Sequence, residues 1–233
     1  MPWGKNRMSL RSDIIAANKE IVELGLVKLT WGNVSCRINE NFLIKPSGVN
    51  LSSLLPEQVS EIDKDNILVS GLKQSVDSPA HIEIYKNFKD VCAVVHTHSK
   101  FATSFAQSGT PIPCVGTTHA DFFRTEIPVV GFPSEVDEYE KSTGEKIVSF
   151  YRENNLNPLE TPAVLCEGHG VFAWGRDIKS AVQNSFVVEL VAEMYYNTIV
   201  ISSCFGKSAS SLNKKISEKH FLRKHGKDKY YGQ

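Results

Sequence analysis

A chain of 233 residues and 25.9 kDa has room for one large domain, and we read residues 1–233 as a single one. Hydrophobic residues at 41% and charged residues at 22% exclude a disordered or fibrous protein. The 26 basic residues balance 26 acidic ones, which argues against a general nucleic-acid binder; no apolar run approaches a membrane span, and Met1–Leu10 lacks the apolar core of a secretory signal. The expectation is a cytoplasmic protein with neither nucleic acid nor membrane as partner.

In chain order, Ser9 reads as the cap of a helix whose apolar positions Ile14, Ile15, Ile21, Val22 and Leu24 recur at helical spacing before Gly25. Trp31–Ile38 alternates and Phe42–Ile44 is short and apolar, predicting a hairpin with Asn39-Glu40-Asn41 as its turn. Lys45-Pro46-Ser47-Gly48 breaks that strand into a loop. Short strands are expected at Val59–Ile62 and Ile67–Val69, and a helix at Pro79–Phe88. Val91–Val95 reads as a buried strand running into His96-Thr97-His98. A helix at Phe101–Gln107 is followed by a loop-rich segment over 109–135, with a short strand near Ile127–Val130. Further on, the pattern predicts a helix over Gly144–Asn154 and strands at Ala163–Cys166 and Val171–Trp174. The longest helix is expected at Ile178–Ser202 and a last one at Ala209–His220. Short strands between helices with hairpin-like pairs predict an α/β fold with a central mixed, largely antiparallel sheet flanked by helices.

The five cysteines include no CxxC pair, so neither a disulfide framework nor a zinc knuckle is indicated. The histidines are more informative. On a strand, His96 and His98 share one face, about 6.5–7 Å apart along the chain, and two such imidazoles can converge on one ion. His169, between Gly168 and Gly170 at a strand break, is the candidate third ligand. Three neutral histidines leave a coordination position open, the arrangement of a catalytic rather than a structural zinc. Asp77 and Asp121 offer carboxylates for a fourth ligand or for acid/base work.

Lys45-Pro46-Ser47-Gly48 brings a cation, a hydroxyl and backbone N–H groups to a strand end, and Gly32-Asn33 is a similar bend; both suit a phosphate or polyhydroxy ligand. Gly116-Thr117-Thr118-His119-Ala120-Asp121 forms a polar loop. The tail Asn213–Gln233 carries seven basic residues against two acidic ones, together with His220, His225, Tyr230 and Tyr231. Its plain reading is a solvated basic end, and a nucleic-acid arm is a second. A phenol near cations can also serve as an acid or base, and a terminal segment needs a docking surface to do so.

Together these motifs resemble the L-ribulose-5-phosphate 4-epimerase family of the class II aldolase and adducin group. The resemblance lies in Leu29-Thr30-Trp31-Gly32-Asn33-Val34-Ser35, Ile44-Lys45-Pro46-Ser47-Gly48-Val49, Val95-His96-Thr97-His98-Ser99, the Gly116–Asp121 loop and Gly168-His169-Gly170 with Phe172-Ala173-Trp174-Gly175. It extends to the ending Leu222-Arg223-Lys224-His225-Gly226 and Tyr230-Tyr231-Gly232-Gln233. It implies a divalent metal, zinc, held by His96, His98 and His169 with Asp77 beside it. It also implies substrate and phosphate binding by Gly32, Asn33, Ser47, Gly48 and Ser75 with Val76. Asp121 is the implied first acid/base and Tyr231, supplied by a neighbouring subunit, the second. Lys45, Thr117, Glu140, His220 and Arg223 match polar positions around the site. The implied assembly is a homotetramer with sites shared between subunits and with residues 213–233 docking at the interface. The implied reaction interconverts L-ribulose 5-phosphate and D-xylulose 5-phosphate by cleaving and re-forming the C3–C4 bond. Val76 departs from the pattern of two adjacent serines, leaving a backbone N–H there but no hydroxyl. The alternative is a class II sugar-phosphate aldolase of the L-fuculose-phosphate kind, whose members carry glutamate where this chain has Asp77.

Overall fold

The computed structural model describes residues 7–231. The first six residues of the N-terminal segment, and Gly232-Gln233 of the C-terminal motif, lie outside the described residues. Helix α1 spans Arg7–Glu23, three residues longer at its start than the Ser9 cap predicts. Its Arg11, Ile14, Ile15, Asn18 and Ile21 fall on one face and are buried, and Gly25 in left-handed backbone (φ 76°) ends it as Leu26 N–H donates to Ile21 O.

Strands β1 (Gly32–Ile38) and β2 (Asn41–Ile44) form the expected hairpin. The turn is shorter than expected, because Asn39 takes left-handed backbone and Asn41 already pairs with Ile38. β3 (Ser60–Ile62) and β4 (Leu68–Ser70) follow, then α2 (Ser78–Asn87), β5 (Ala93–Thr97), α3 (Lys100–Gln107) and α4 (Thr117–Ala120). Next come β6 (Val129–Val130), α5 (Tyr139–Glu153), β7 (Ala163–Cys166), β8 (Val171–Gly175), α6 (Ile178–Cys204) and α7 (Lys214–His225).

The strands make one sheet in the order β4-β3-β2-β1-β5-β8-β7-β6, antiparallel throughout except for the parallel β6–β7 pair. Alternation along the central strands sends residues to two cores. Val94, Phe172, Trp174, Val164 and Ile44 face α2 and α5, while Val34, Val95, Ala173 and Leu165 face α1, α3 and α6. Each large side chain buried in these layers contributes about 1.5–3 kcal/mol. The fold is therefore the helix-flanked, largely antiparallel α/β domain that the sequence predicts. Among the described residues, no helix is long and apolar enough to cross a membrane.

Three further elements differ from expectation. Within the Gly116–Asp121 segment, Thr117–Ala120 forms the short helix α4 rather than a loop. α5 begins at Tyr139, not Gly144; a Cβ at Gly144 would lie 2.9 Å from Ala80 Cα, so that glycine marks the close α2–α5 crossing rather than a helix start. α7 begins at Lys214 rather than Ala209, because the Asn213 side chain caps it by accepting from Lys215 N–H. It therefore runs on to His225, with Gly226 behind it.

Candidate active site

The centre of the sheet builds the histidine cluster. In β5, His96 pairs with Asn33 on one side and Phe172 on the other, and its ring stacks on Phe172 with centroids 4.3 Å apart. His96 Nδ1 lies 2.9 Å from Val171 O, which fixes the tautomer: Nδ1–H donates and Nε2 keeps its lone pair. His98 falls just past the strand, with its Nε2 3.0 Å from that of His96. His169 stands in the β7–β8 turn, where Gly168 adopts φ 67°. The three imidazoles place ligand atoms within 4.8 Å of one another.

Several observations fit a metal here. His169 Nδ1 is buried without a hydrogen-bond partner. Burial pushes His96 down to about 3 and also lowers His98 and His169, so all three are neutral donors at pH 7. Two nitrogens on one tetrahedral zinc stand about 3.3 Å apart, close to the His96–His98 separation. Gly170 keeps space for the rings, since a Cβ there would meet Thr97 O at 2.6 Å and His98 Cδ2 at 3.3 Å.

Asp77 precedes α2 at its N-cap but makes no capping bond. Its carboxylate instead accepts from Asn33 Nδ2 at 2.7 Å and Ser75 Oγ at 3.3 Å. That side chain thus stands beside the cluster, while the three histidines alone make up the converging set. Asn33 also donates to Ser75 Oγ at 3.1 Å, and its own Oδ1 is buried and unpartnered. Gly32 lets β1 pass close to the site, because a Cβ there would lie 2.8 Å from His96 O.

The loop after β2 is stitched to the loop before α2: Pro46 bridges to Gln74 and Ser47 N–H donates to Lys73 O at 3.0 Å. This antiparallel bridge sets Ser47 beside Lys73; Ser47, Gly48 and Val76 are exposed and Ser75 is buried. Lys45 is only 4% exposed, and among the described residues its ammonium has no hydrogen-bond or ion-pair partner. Burial lowers its pKa, partly offset by the charge of Asp77. Lys45 lines a cavity of about 410 Å³ with Gly32, Gly48 and Thr30. A buried cation at a cavity wall is suited to an anion.

Asp121 lies in a second group. Arg223 grips its carboxylate with two bonds of 3.0 and 2.8 Å, and His220 Nδ1 lies 3.1 Å away. His225 Nε2–H donates to the Asp121 main-chain oxygen at 2.8 Å. The Arg223 guanidinium sits 4.1 Å from the ring centre of Tyr231, whose N–H donates to Arg223 O. Thr117 opens α4 and is exposed, and Glu140 is in the first turn of α5. Among the described residues, no hydrogen bond, ion pair or ring contact joins this group to the histidines.

Residues 12–196 match the model of the Class II Aldolase and Adducin N-terminal domain. The chain belongs to that family. Several solved structures share its fold. L-fuculose 1-phosphate aldolase superposes with TM-score 0.74 at 22% identity, covering 90% of this chain and 93% of that one. The l-fuculose-1-phosphate aldolase of Thermus thermophilus gives 0.64 at 23%, covering 89% and 100%. YgbL from Escherichia coli gives 0.73 at 21%, covering 92% and 99%.

In this class II aldolase domain the structure adds residues that sequence reasoning passed over. Tyr139 packs its ring 5.6 Å from that of His169. Phe172 was legible as a core residue but not as the floor under His96. His81, fully buried, places Nδ1 2.7 Å from Ser35 Oγ, with Ser35 also 2.8 Å from Tyr85 OH. Strand alternation could have found Phe172, and the i+4 spacing from Asp77 could have found His81.

Proposed function

We propose that this protein is a zinc-dependent L-ribulose-5-phosphate 4-epimerase, acting on a phosphorylated pentulose. The observation that carries the reading is the open three-histidine cluster, together with Lys45, a buried cation whose ammonium has no hydrogen-bond or ion-pair partner among the described residues. His96, His98 and His169 would hold the ion, with Asp77 beside it. A bound divalent ion supplies Lewis-acid polarisation of the substrate's oxygen atoms. Lys45, Asn33, Ser75 and the Ser47-Gly48 and Val76 backbone would hold the phosphate, which keeps a cleaved fragment from leaving.

Removing the C4 hydroxyl proton lets that oxygen become an aldehyde as the C3–C4 bond breaks, its electron pair passing to the ketone fragment. Turning the aldehyde over and re-forming the bond inverts C4. Each orientation of the C4 oxygen needs its own proton carrier. Asp121 is one, oriented by Arg223 and His220, and Tyr231 is the other. Tyr231 is 49% exposed and therefore accessible to a neighbouring copy in the proposed tetramer.

The test is a coupled assay of zinc-loaded protein on L-ribulose 5-phosphate, with a chelated control. Zinc-dependent D-xylulose 5-phosphate is the expected product. Free dihydroxyacetone and glycolaldehyde phosphate would instead make the protein an aldolase, and no product from either route would remove the substrate assignment. A Tyr231→Phe variant should lose epimerisation while still binding zinc; unchanged turnover would take Tyr231 out of the reaction.

A further inference from the structure

The three histidines are fixed in place unequally. His96 sits inside the strand ladder and His169 in a turn closed by its own N–H donating to Cys166 O. His98 follows the last residue of β5 and precedes Ser99, the N-cap of α3. Ser99 does not cap that helix with its side chain, and its hydroxyl is buried with no partner. The first-turn N–H groups of α3 are instead taken by Glu189 of α6. One carboxylate oxygen accepts from Phe101 N–H and the other from Ala102 N–H, both at 2.9 Å.

We propose that Glu189 is a positioning residue for the metal centre: by capping α3 from α6 it sets where the helix begins, and so where His98 presents its ring. The inference rests on the metal reading above. A carboxylate bridging two N–H groups is a strong, directional anchor at a helix N-terminus. The amide of Glu189→Gln would satisfy one N–H and turn its own NH₂ toward the other. His98 would then lose its fixed approach to the ion while the strand and turn holding the other two ligands stay intact.

The experiment is a Co(II) titration of the metal-free full chain, followed by visible absorption with a competing chelator. Glu189→Gln is expected to weaken Co(II) by about tenfold or more and to shift the absorption bands. Glu189→Asp keeps the charge but loses the reach, and its weakening serves as the readout if the amide variant does not fold. Asp177→Ala removes the cap at the N-terminus of α6, the helix that carries Glu189, where Asp177 accepts from Ser180 N–H at 2.7 Å. It should lower Tm while leaving Co(II) affinity and spectrum unchanged. Wild-type affinity and spectrum in the Glu189 variants would overturn the proposal, as would equal weakening by Asp177→Ala. A wild-type chain that takes up no Co(II) would bring down the metal reading, and this inference with it.

Discussion

His96 and Asp121 are both held by several contacts, but of opposite kinds. His96 is 2% exposed, paired on both sides in the sheet, stacked on Phe172 and bonded to a strand carbonyl. Asp121 ends a four-residue helix, and the side chains holding it come from α7, roughly a hundred residues later. The histidine cluster is a by-product of folding the core, which must form for the chain to be stable. The Asp121 cluster depends on one peripheral helix docking, and α7 buries a single residue, Phe221. Local opening is easier where few apolar contacts must be broken.

The largest expected effect comes from His98→Ala. Two donors remain, and turnover of the metal-supplemented protein should fall on the order of a thousandfold or more, to the chelated level, with metal content falling alongside. Retained metal at full stoichiometry would show that the cluster does not need its exposed member. Arg223→Ala probes the other region. Freed from its clamp, Asp121 should lose much of its proposed acid/base contribution, lowering kcat roughly a hundredfold with bound metal unchanged. Loss of metal in this variant would erase the distinction between the two regions.

Gly170→Ala sharpens the comparison from the buried side, because the added methyl presses on Thr97 O and the imidazole of His98. A cost of about 1–3 kcal/mol in urea unfolding, with weaker metal binding, is expected. The last test, and the one that touches activity least, is the dependence of stability on pH in the metal-free protein. Burial pushes His81 and His119 down to about 4 and His96 down to about 3, so they are neutral in the folded chain, while the unfolded chain protonates them near 6.5. Below pH 6.5 the unfolded state therefore binds more protons, and stability falls by about 1.4 kcal/mol per pH unit for each histidine until the folded-state values are reached. Urea unfolding at pH 7, 6 and 5 reads the slope. A flat profile would mean that these imidazoles are not buried neutral.

The histidine cluster was legible in the sequence because its causes are local: i, i+2 spacing in an apolar strand and a glycine-flanked histidine at a strand break. The sheet and most of its helices were legible for the same reason, through alternation and helical spacing. Asp121's surroundings were not, since nothing near residue 121 announces that Arg223 will reach it. Lys45 could be marked as a cation at a strand end, but its burial depends on loops 45–48 and 73–75 closing together. The start of α7 was misplaced because one Asn cap in a polar stretch carries little signal. Glu189 was invisible, being one acidic residue on a long helix whose partner N–H groups lie 87 and 88 positions earlier.

The position of α7 also separates shape from competence. A chain ending at Lys219 would still contain every strand of the described residues, both cores on the two faces of the sheet, and all three histidines. It would lack His220, Arg223, His225 and Tyr231 together. Such a product would pass inspection by circular dichroism and by metal content while Asp121 stood with no partner from α7. On the proposed mechanism, intactness of the C-terminal end is a better certificate of a working preparation than either foldedness or metal content.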